Sequence, residues 1–313
     1  MTVLLLSGSG TRSVTSFLRF YRNIRVSLIP TVIKSILGIN TPEMCPVCQI
    51  DSLFVTTTKN KCLKMFFFLY IFAIIAMLEA SAASINEVPK IVGGSVAEDG
   101  QYPYQASLRY KNRHFCGGSV LNERWVLTAA HCLSSFNDTS IAVVLGTNTL
   151  DEGGDVYQSE KIIGHPKYSS ILIRNDIGLI KVDKDIVFGD KVKPIALPNE
   201  NFGKIDYPAV LSGWGTTSYP GQTPNDLYHI QLSVIDQKQC LNASFRVTND
   251  NICTLNKRGE GACHGDSGGP LVADNEQIGV VSWGIPCARG RPDVFTRVYS
   301  YIDWIKDHIE NKN

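Results

Sequence analysis

The stretch GDSGGP, residues 265–270, places Ser267 among small residues that leave backbone N–H groups free to reach a ligand. A serine hydroxyl is a poor nucleophile at neutral pH. A catalytic serine therefore needs a base within hydrogen-bond reach and a third group that orients this base. We expect the rest of the chain to supply both groups.

The composition is that of an ordinary globular protein. The chain has 313 residues, of which 44% are hydrophobic and 19% are charged, and its formal net charge is +1. This length allows one large domain or two ordinary ones with buried cores. Because no strong basic field is present, we expect neither nucleic acid nor an anionic membrane as a partner.

Residues 1–64 are the least informative part of the chain. Their basic, acid-poor composition is typical of an organellar transit peptide, but they lead directly into a second targeting signal. We therefore interpret them as an upstream extension introduced by the gene model. Cys45 and Cys48 could form half of a zinc site or a redox pair, but no second pair accompanies them.

Residues 65–82 have the features of a secretory signal peptide. The apolar run Phe66–Leu78 follows Lys61 and Lys64 and precedes a small-residue segment that ends at Ala82. A membrane anchor is the alternative, but the run is shorter than the roughly 20 residues that cross a bilayer. We expect cleavage near Ala82 and a secreted, extracellular product.

The nine cysteines divide at this apolar run, three before it and six after it. An even set after a secretory signal predicts a disulfide framework in an oxidising compartment. Residues 83–90 form a short polar segment, interpreted as an activation propeptide. It ends at Lys90, which joins the apolar Ile91 just before two glycines and makes a plausible processing bond.

The sequence after Ile91 has the pattern of an all-β protein. Short apolar or alternating runs are separated by Gly, Pro, Asn and Asp, which predicts barrels or a sandwich. At the C terminus, Val298, Ile302, Ile305 and Ile309 recur at helical spacing and predict an amphipathic helix. The predicted strands are Gln105–Tyr110, Phe115–Leu121, Trp125–Thr128, Ile141–Leu145, Ile177–Val182 and Gln277–Trp283.

Two further motifs supply candidates for the base and the orienting group. His131 lies in TAAHC, where small and apolar neighbours suggest a buried strand end. Asp176 lies in NDIGLI, at the mouth of an apolar strand. A buried carboxylate is costly unless it is paired or hydrogen-bonded, and an imidazole would provide that partner.

The motifs TAAHC, NDIGLI and GDSGGP occur in this order, together with IVGG and SWG. Through them, residues 91–313 resemble the trypsin-like and chymotrypsin-like serine proteases, and GEGACHGDSGGP looks especially like insect chymotrypsins. The resemblance implies an all-β fold of two packed six-stranded antiparallel Greek-key barrels with a C-terminal helix. The boundary between the two halves is expected near residues 195–205.

The resemblance also implies a role for each motif. Ser267 attacks a peptide carbonyl, His131 takes its proton and returns it to the leaving amine, and Asp176 fixes the tautomer of His131. The N–H groups of Gly265 and Ser267 form the oxyanion hole. The implied disulfides are Cys116–Cys132, Cys240–Cys253 and Cys263–Cys287.

Asp266 is implied to act as an activation switch. After a trypsin-like protease cleaves the Lys90–Ile91 bond, the new α-amino group of Ile91 should pair with Asp266 and order the oxyanion loop. The protein is therefore expected to be a zymogen. Ala196 replaces a cysteine that tethers the propeptide in many chymotrypsins, so the activation peptide should be released.

The residues implied to surround the primary specificity pocket leave two interpretations open. Gly261 stands at the floor, where trypsins have aspartate, and Gly284 keeps the wall open, which favours Phe, Tyr, Trp or Leu. If Asp293 is ionised, it supports trypsin-like or broad collagenolytic cleavage; if neutral, it tolerates apolar side chains. The full implied set is Gly261, Ala262, Ser282, Trp283, Gly284 and Asp293.

The remaining expectations concern partners and modification. Protein and peptide substrates and proteinaceous inhibitors are expected, the protein should be a monomer, and no metal or cofactor is assigned. Asn137 and Asn242 match the N-glycosylation pattern. A non-enzymatic, protease-like binding protein is the alternative function, but the complete set of three motif residues favours an enzyme.

Overall fold

The computed structural model describes residues 93–218, 220–285 and 287–310. The expectations for the N-terminal extension, the signal peptide, the propeptide, Lys90 and Ile91 lie outside these residues. Within them, no helix is long and apolar enough to cross a membrane.

Six antiparallel strands form a closed barrel in the first half of the described region. They are β2 (Gln105–Tyr110), β3 (Arg113–Val120), β4 (Trp125–Thr128), β5 (Ala142–Leu145), β6 (Asp155–Gly164) and β7 (Gly178–Val182). Their order around the barrel is β2-β3-β4-β7-β6-β5. Apolar side chains such as Leu108, Leu127 and Leu179 are fully buried and fill its interior.

Six further strands form the second barrel. They are β8 (Tyr207–Gly213), β9 (Tyr228–Val234), β10 (Asn251–Thr254), β11 (Pro270–Ala273), β12 (Glu276–Gly284) and β13 (Asp293–Arg297). The order β9-β10-β13-β12-β11-β8 closes on itself because β8 also pairs with β9. A short strand, β1 (Ser95–Val96), adds to β9. The prediction of two six-stranded antiparallel barrels is confirmed.

Short helices and connecting segments complete the fold. The segment 183–206 joins the two barrels and contains the boundary expected near 195–205. The helices are α1 (Ala130–Leu133), α2 (Gln237–Ala243) and α3 (Ile302–Ile309), and a 3-10 turn (Val298–Tyr301) leads into α3. Val298 and Ile305 are fully buried against the core of the first barrel, which explains the helical spacing of apolar residues at the C terminus.

Three disulfides lie within the described residues, and they are the pairs that the resemblance implies. Cys116–Cys132 links β3 to α1, Cys240–Cys253 links α2 to β10, and Cys263–Cys287 links the segments before β11 and before β13.

Candidate active site

His131 and Asp176 meet at one end of the first barrel. His131 follows β4 and Asp176 precedes β7, and these strands are antiparallel neighbours with Thr128 opposite Gly178. The end of one strand therefore lies beside the start of the other. Asp176 Oδ1 accepts the backbone N–H of His131 at 2.8 Å, and Oδ2 lies 2.8 Å from His131 Nδ1.

Asp176 is also held by the second barrel. Its side chain is almost fully buried, and the Ser282 hydroxyl donates to Oδ2 at 2.6 Å. The Thr296 hydroxyl donates to the Asp176 carbonyl oxygen at 2.7 Å. Because a buried carboxylate needs donors to offset its lost hydration, these contacts keep Asp176 in place between the barrels.

A hydrogen bond and a disulfide together connect the Ser267 turn to the His131 segment. The Ser267 carbonyl oxygen accepts the N–H of Gly117 at 2.8 Å. Gly117 follows Cys116, which is bonded to Cys132, the residue after His131. This covalent link keeps the segment after β4 close to the Ser267 turn.

Gly268 brings the two segments into direct contact. Its φ is +77°, and a Cβ at this position would overlap Thr128 Oγ1 and lie 3.2 Å from the Ala129 nitrogen. Only glycine fits this approach without displacing backbone. The chain just after Ser267 therefore packs on the residues just before His131.

The N–H groups of Gly265 and Ser267 are available to a ligand. Among the described residues, neither group donates a backbone hydrogen bond. Gly265 has a φ of +104°, and a Cβ there would lie 3.2 Å from the Trp214 carbonyl oxygen. Glycine is thus required for the turn that leaves these two donors unsatisfied within the chain.

His114 orients the Gly265 peptide, a contact that the sequence did not suggest. Its Nε2 lies 3.0 Å from the Gly265 carbonyl oxygen, and its Nδ1 lies 2.9 Å from the Ser107 hydroxyl. A carbonyl oxygen only accepts, so Nε2 carries the proton and Nδ1 accepts from Ser107. Burial lowers the pKa of His114 to about 4, which keeps the ring neutral.

Asp266 is completely buried. Its carboxylate accepts the Gly215 N–H at 2.8 Å and the Cys263 N–H at 2.9 Å. Burial outweighs these two bonds and raises the pKa of Asp266 to about 6. Asp266 is therefore a carboxyl group that a cation would stabilise strongly, and Ile91, its expected partner, lies outside the described residues.

A cavity of about 200 Å³ opens beside Ser267. The expected pocket residues Ala262, Ser282, Trp283, Gly284 and Asp293 line it. Gly261 does not line it but lies against Asp293. Its φ is +155°, and a Cβ on Gly261 would lie 2.5 Å from Asp293 Oδ2.

Asp293 contributes a carboxyl group to the lining of this cavity. Its side chain is 7% exposed, and Oδ2 accepts the Ala262 N–H at 2.8 Å. Burial raises the pKa of Asp293 to about 7, the Ala262 bond opposes this shift, and the nearby Asp266 adds to it. A single backbone donor is too little to offset the loss of hydration.

The sulfur atoms beside His131 are not metal ligands. Cys132 Sγ lies 3.6 Å from His131 Nε2, and Cys116 Sγ is within the same small group. Since both sulfurs belong to one disulfide, neither offers the thiolate that a metal ion requires.

A double barrel with a histidine–carboxylate pair and a serine that lines a cavity is the arrangement of a serine hydrolase of the two-barrel type. The family model described as Trypsin matches residues 91–305. The chain therefore belongs to the trypsin family of serine endopeptidases, and the resemblance seen in the motifs is confirmed.

Relatives with two different specificities in their names are similar to this chain. Chymotrypsin-2 of Vespa crabro is 50% identical over 216 residues, which cover 69% of this chain and 98% of that protein. Trypsin II-P29 of Gallus gallus is 40% identical, over 77% and 98% of the two chains. Trypsin-3 of Homo sapiens is also 40% identical, over 73% and 75%. Primary specificity must therefore be argued from the pocket.

Proposed function

We propose that this protein is a secreted serine endopeptidase, made as a zymogen, that cleaves peptide bonds after large apolar and aromatic residues. In this proposal Ser267 attacks the substrate carbonyl and forms an acyl-enzyme, which water then hydrolyses. His131 Nε2 takes the serine proton and delivers it to the leaving amine, and Asp176 holds the Nδ1 proton. The free N–H groups of Gly265 and Ser267 would stabilise the oxyanion.

The state of Asp293 carries the proposed preference for aromatic residues. A pKa of about 7 means that this carboxyl group is substantially protonated at neutral pH. A neutral, buried acid repels an apolar side chain far less than a carboxylate would. With Gly284 in its lining, the cavity then offers an uncharged slot for an aromatic ring.

The same residue supports the competing function. Since Asp293 lines the cavity, its ionised form would attract Lys or Arg and give trypsin-like or broad collagenolytic cleavage. Substrates that differ only in the residue before the cleaved bond, Phe or Arg, decide between these functions at pH 7. The proposal requires a larger kcat/KM for Phe, and a larger value for Arg would overturn it in favour of the competing function.

The proposed activation depends on Asp266. Its complete burial and raised pKa indicate that ionisation is costly without a cation. Pairing with the α-ammonium of Ile91, released by a trypsin-like activator, would remove this cost. Treatment of the zymogen with trypsin should release a new N terminus that reads Ile-Val-Gly-Gly and switch on hydrolysis of the Phe substrate.

Two variants control the activation experiment. Lys90→Gln should stay uncleaved at this bond and inactive, and Ser267→Ala should be cleaved but remain inactive. Full hydrolysis by uncleaved Lys90→Gln protein would contradict the zymogen proposal.

Proteinaceous inhibitors that present an apolar residue to the pocket are proposed as partners of a monomeric enzyme.

A further inference from the structure

We propose that the active enzyme cuts other copies of its own chain at the Phe245–Arg246 bond, giving a two-chain form held together by the Cys240–Cys253 disulfide. This inference rests on the proposed preference for aromatic residues. It assigns a proteolytic modification site to the segment between α2 and β10.

Phe245 is presented to solvent far more completely than other aromatic residues of the described region. Its side chain is 79% exposed, whereas Tyr110, Phe188 and Tyr299 are 40%, 37% and 41% exposed. The primary pocket of a protease takes in the whole side chain that precedes the cleaved bond. Phe245 can enter such a pocket without leaving the hydrophobic core.

A short turn at Ser244 holds the backbone next to this bond. Residues 244–250 lie between the end of α2 and the start of β10, outside helices and strands. The N–H of Val247 donates to the Ser244 carbonyl oxygen at 3.1 Å, and the N–H of Arg246 reaches the Ser244 hydroxyl at 3.3 Å. Thr248 is held more firmly, because its N–H donates to Asn251 Oδ1 at 2.9 Å and its carbonyl oxygen accepts from Gln237 Nε2 at 3.2 Å. Extending the segment therefore requires opening the turn, withdrawing the buried Val247 and releasing Thr248, and such local opening requires less than global unfolding.

The position of the disulfide determines what the cut produces. Cys240 and Cys253 lie on opposite sides of Phe245, 13 positions apart in the sequence. Hydrolysis adds one water molecule: Ser267 forms an acyl bond with the Phe245 carbonyl carbon as the Arg246 amine leaves, and water then releases the Phe245 carboxylate. Both pieces remain covalently joined because the disulfide is untouched.

The cut is coupled to the substrate pocket through the packing of Val247. Val247 belongs to a buried cluster with Ile235, Cys240, Cys253 and Val294, and the ring of Trp283 packs against this cluster. Trp283 also lines the cavity beside Ser267. Release of Val247 after cleavage should therefore loosen the support of Trp283 and raise KM more than it lowers kcat.

The experiment uses the inactive Ser267→Ala protein as the target and a small amount of activated wild-type enzyme as the protease. We expect one band on a non-reducing gel, two fragments after reduction, and a new N terminus that reads Arg-Val-Thr. The matched target Ser267→Ala/Phe245→Ser should stay intact. An Asn242→Gln target, which lacks the nearby glycosylation site, shows that a glycan does not decide the result.

A linear peptide of residues 241–250 is digested in parallel. It distinguishes failure of the self-cleavage inference from failure of the proposed preference for aromatic residues. If the enzyme cuts the peptide after Phe245 but leaves the folded target intact, the self-cleavage inference is overturned and the proposed specificity stands. If it does not cut the peptide after Phe245, the proposed specificity itself fails. A new N terminus at Val247 would mean cleavage after Arg246, and this result overturns both.

Discussion

The ionisation of Asp293 should set how readily the enzyme accepts basic residues. Burial raises the pKa of this carboxyl group to about 7, so the neutral form dominates below that pH and the carboxylate dominates above it. The aromatic substrate needs the neutral pocket and the basic substrate needs the charged one. Raising the pH should therefore shift the selectivity of the enzyme from Phe toward Arg.

The size of the shift in selectivity follows from the fraction of Asp293 that is ionised at each pH. With a pKa of about 7, roughly one tenth of Asp293 is ionised at pH 6 and roughly nine tenths at pH 8. If the carboxylate alone accepts a guanidinium and the neutral acid alone accepts an aromatic ring, the ratio of kcat/KM for Arg over Phe follows the ratio of the two forms and should rise about 100-fold across this range; if the Phe substrate is indifferent to the charge, the rise should be about tenfold. Effects of pH on the catalytic steps that both substrates share cancel in the ratio.

The assay measures kcat/KM for two peptides that differ only in Phe or Arg, at several pH values between 6 and 8. Asp293→Asn is the matched control because it keeps the shape and an oxygen acceptor for the Ala262 N–H but cannot ionise. Its selectivity ratio should not depend on pH. A flat ratio in the wild-type enzyme, or an unchanged slope in the variant, would refute the role of Asp293.

Three further changes test the packing and the electrostatics of the site. Gly268→Ala should lower the free energy of unfolding in urea by about 2–4 kcal/mol, because its Cβ would overlap Thr128 at a positive φ; Gly189→Ala, whose Cβ meets nothing within 4 Å, should change it little. Ser282→Ala removes the 2.6 Å hydrogen bond to a buried carboxylate and should lower kcat/KM about 10- to 100-fold in steady-state assays, whereas an unchanged value would exclude a positioning role. Asp293→Asn should raise the melting temperature at pH 8 but not at pH 4. Below pH 3.8 the Asp293 carboxyl group is neutral in both the folded and the unfolded wild-type chain. As the pH rises from 3.8 to about 7, the unfolded chain ionises before the folded one, so the wild-type protein loses stability that the variant keeps.

The sequence predicted five strands of the first barrel and one of the second, and it did not predict β1, β6, β8, β9, β10, β11 or β13. All six predicted strands coincide with observed ones to within two residues at each end. The strand β6 was not predicted because Asp155–Gly164 is largely exposed and polar, and pairing with β5 and β7 holds it in place. The strand β13 was missed for the opposite reason: Asp293 and Arg297 are buried there, which only tertiary contacts make possible.

The sequence predicted the members of the candidate site but gave no information on their protonation or their contacts. Motifs identified His131, Asp176 and Ser267, since their residue types and order are characteristic. Nothing in the sequence indicated that His114 would contact the Gly265 carbonyl, because the two residues are brought together only when the barrels pack. The pKa of Asp293 likewise depends on its burial and on a single backbone donor, both of which are properties of the folded chain.

The geometry around Asp293 explains why Gly261 and Asp293 occur together. A Cβ on Gly261 would lie 2.5 Å from Asp293 Oδ2, and the φ of +155° is one that side chains rarely adopt. A carboxylate at 261 and one at 293 therefore exclude each other in this pocket, both sterically and by repulsion between buried charges. Placing the acid at 293 puts it beside Gly284, with its charge suppressed by burial. Under the proposed specificity, the burial of the acid at 293 matters as much as its presence.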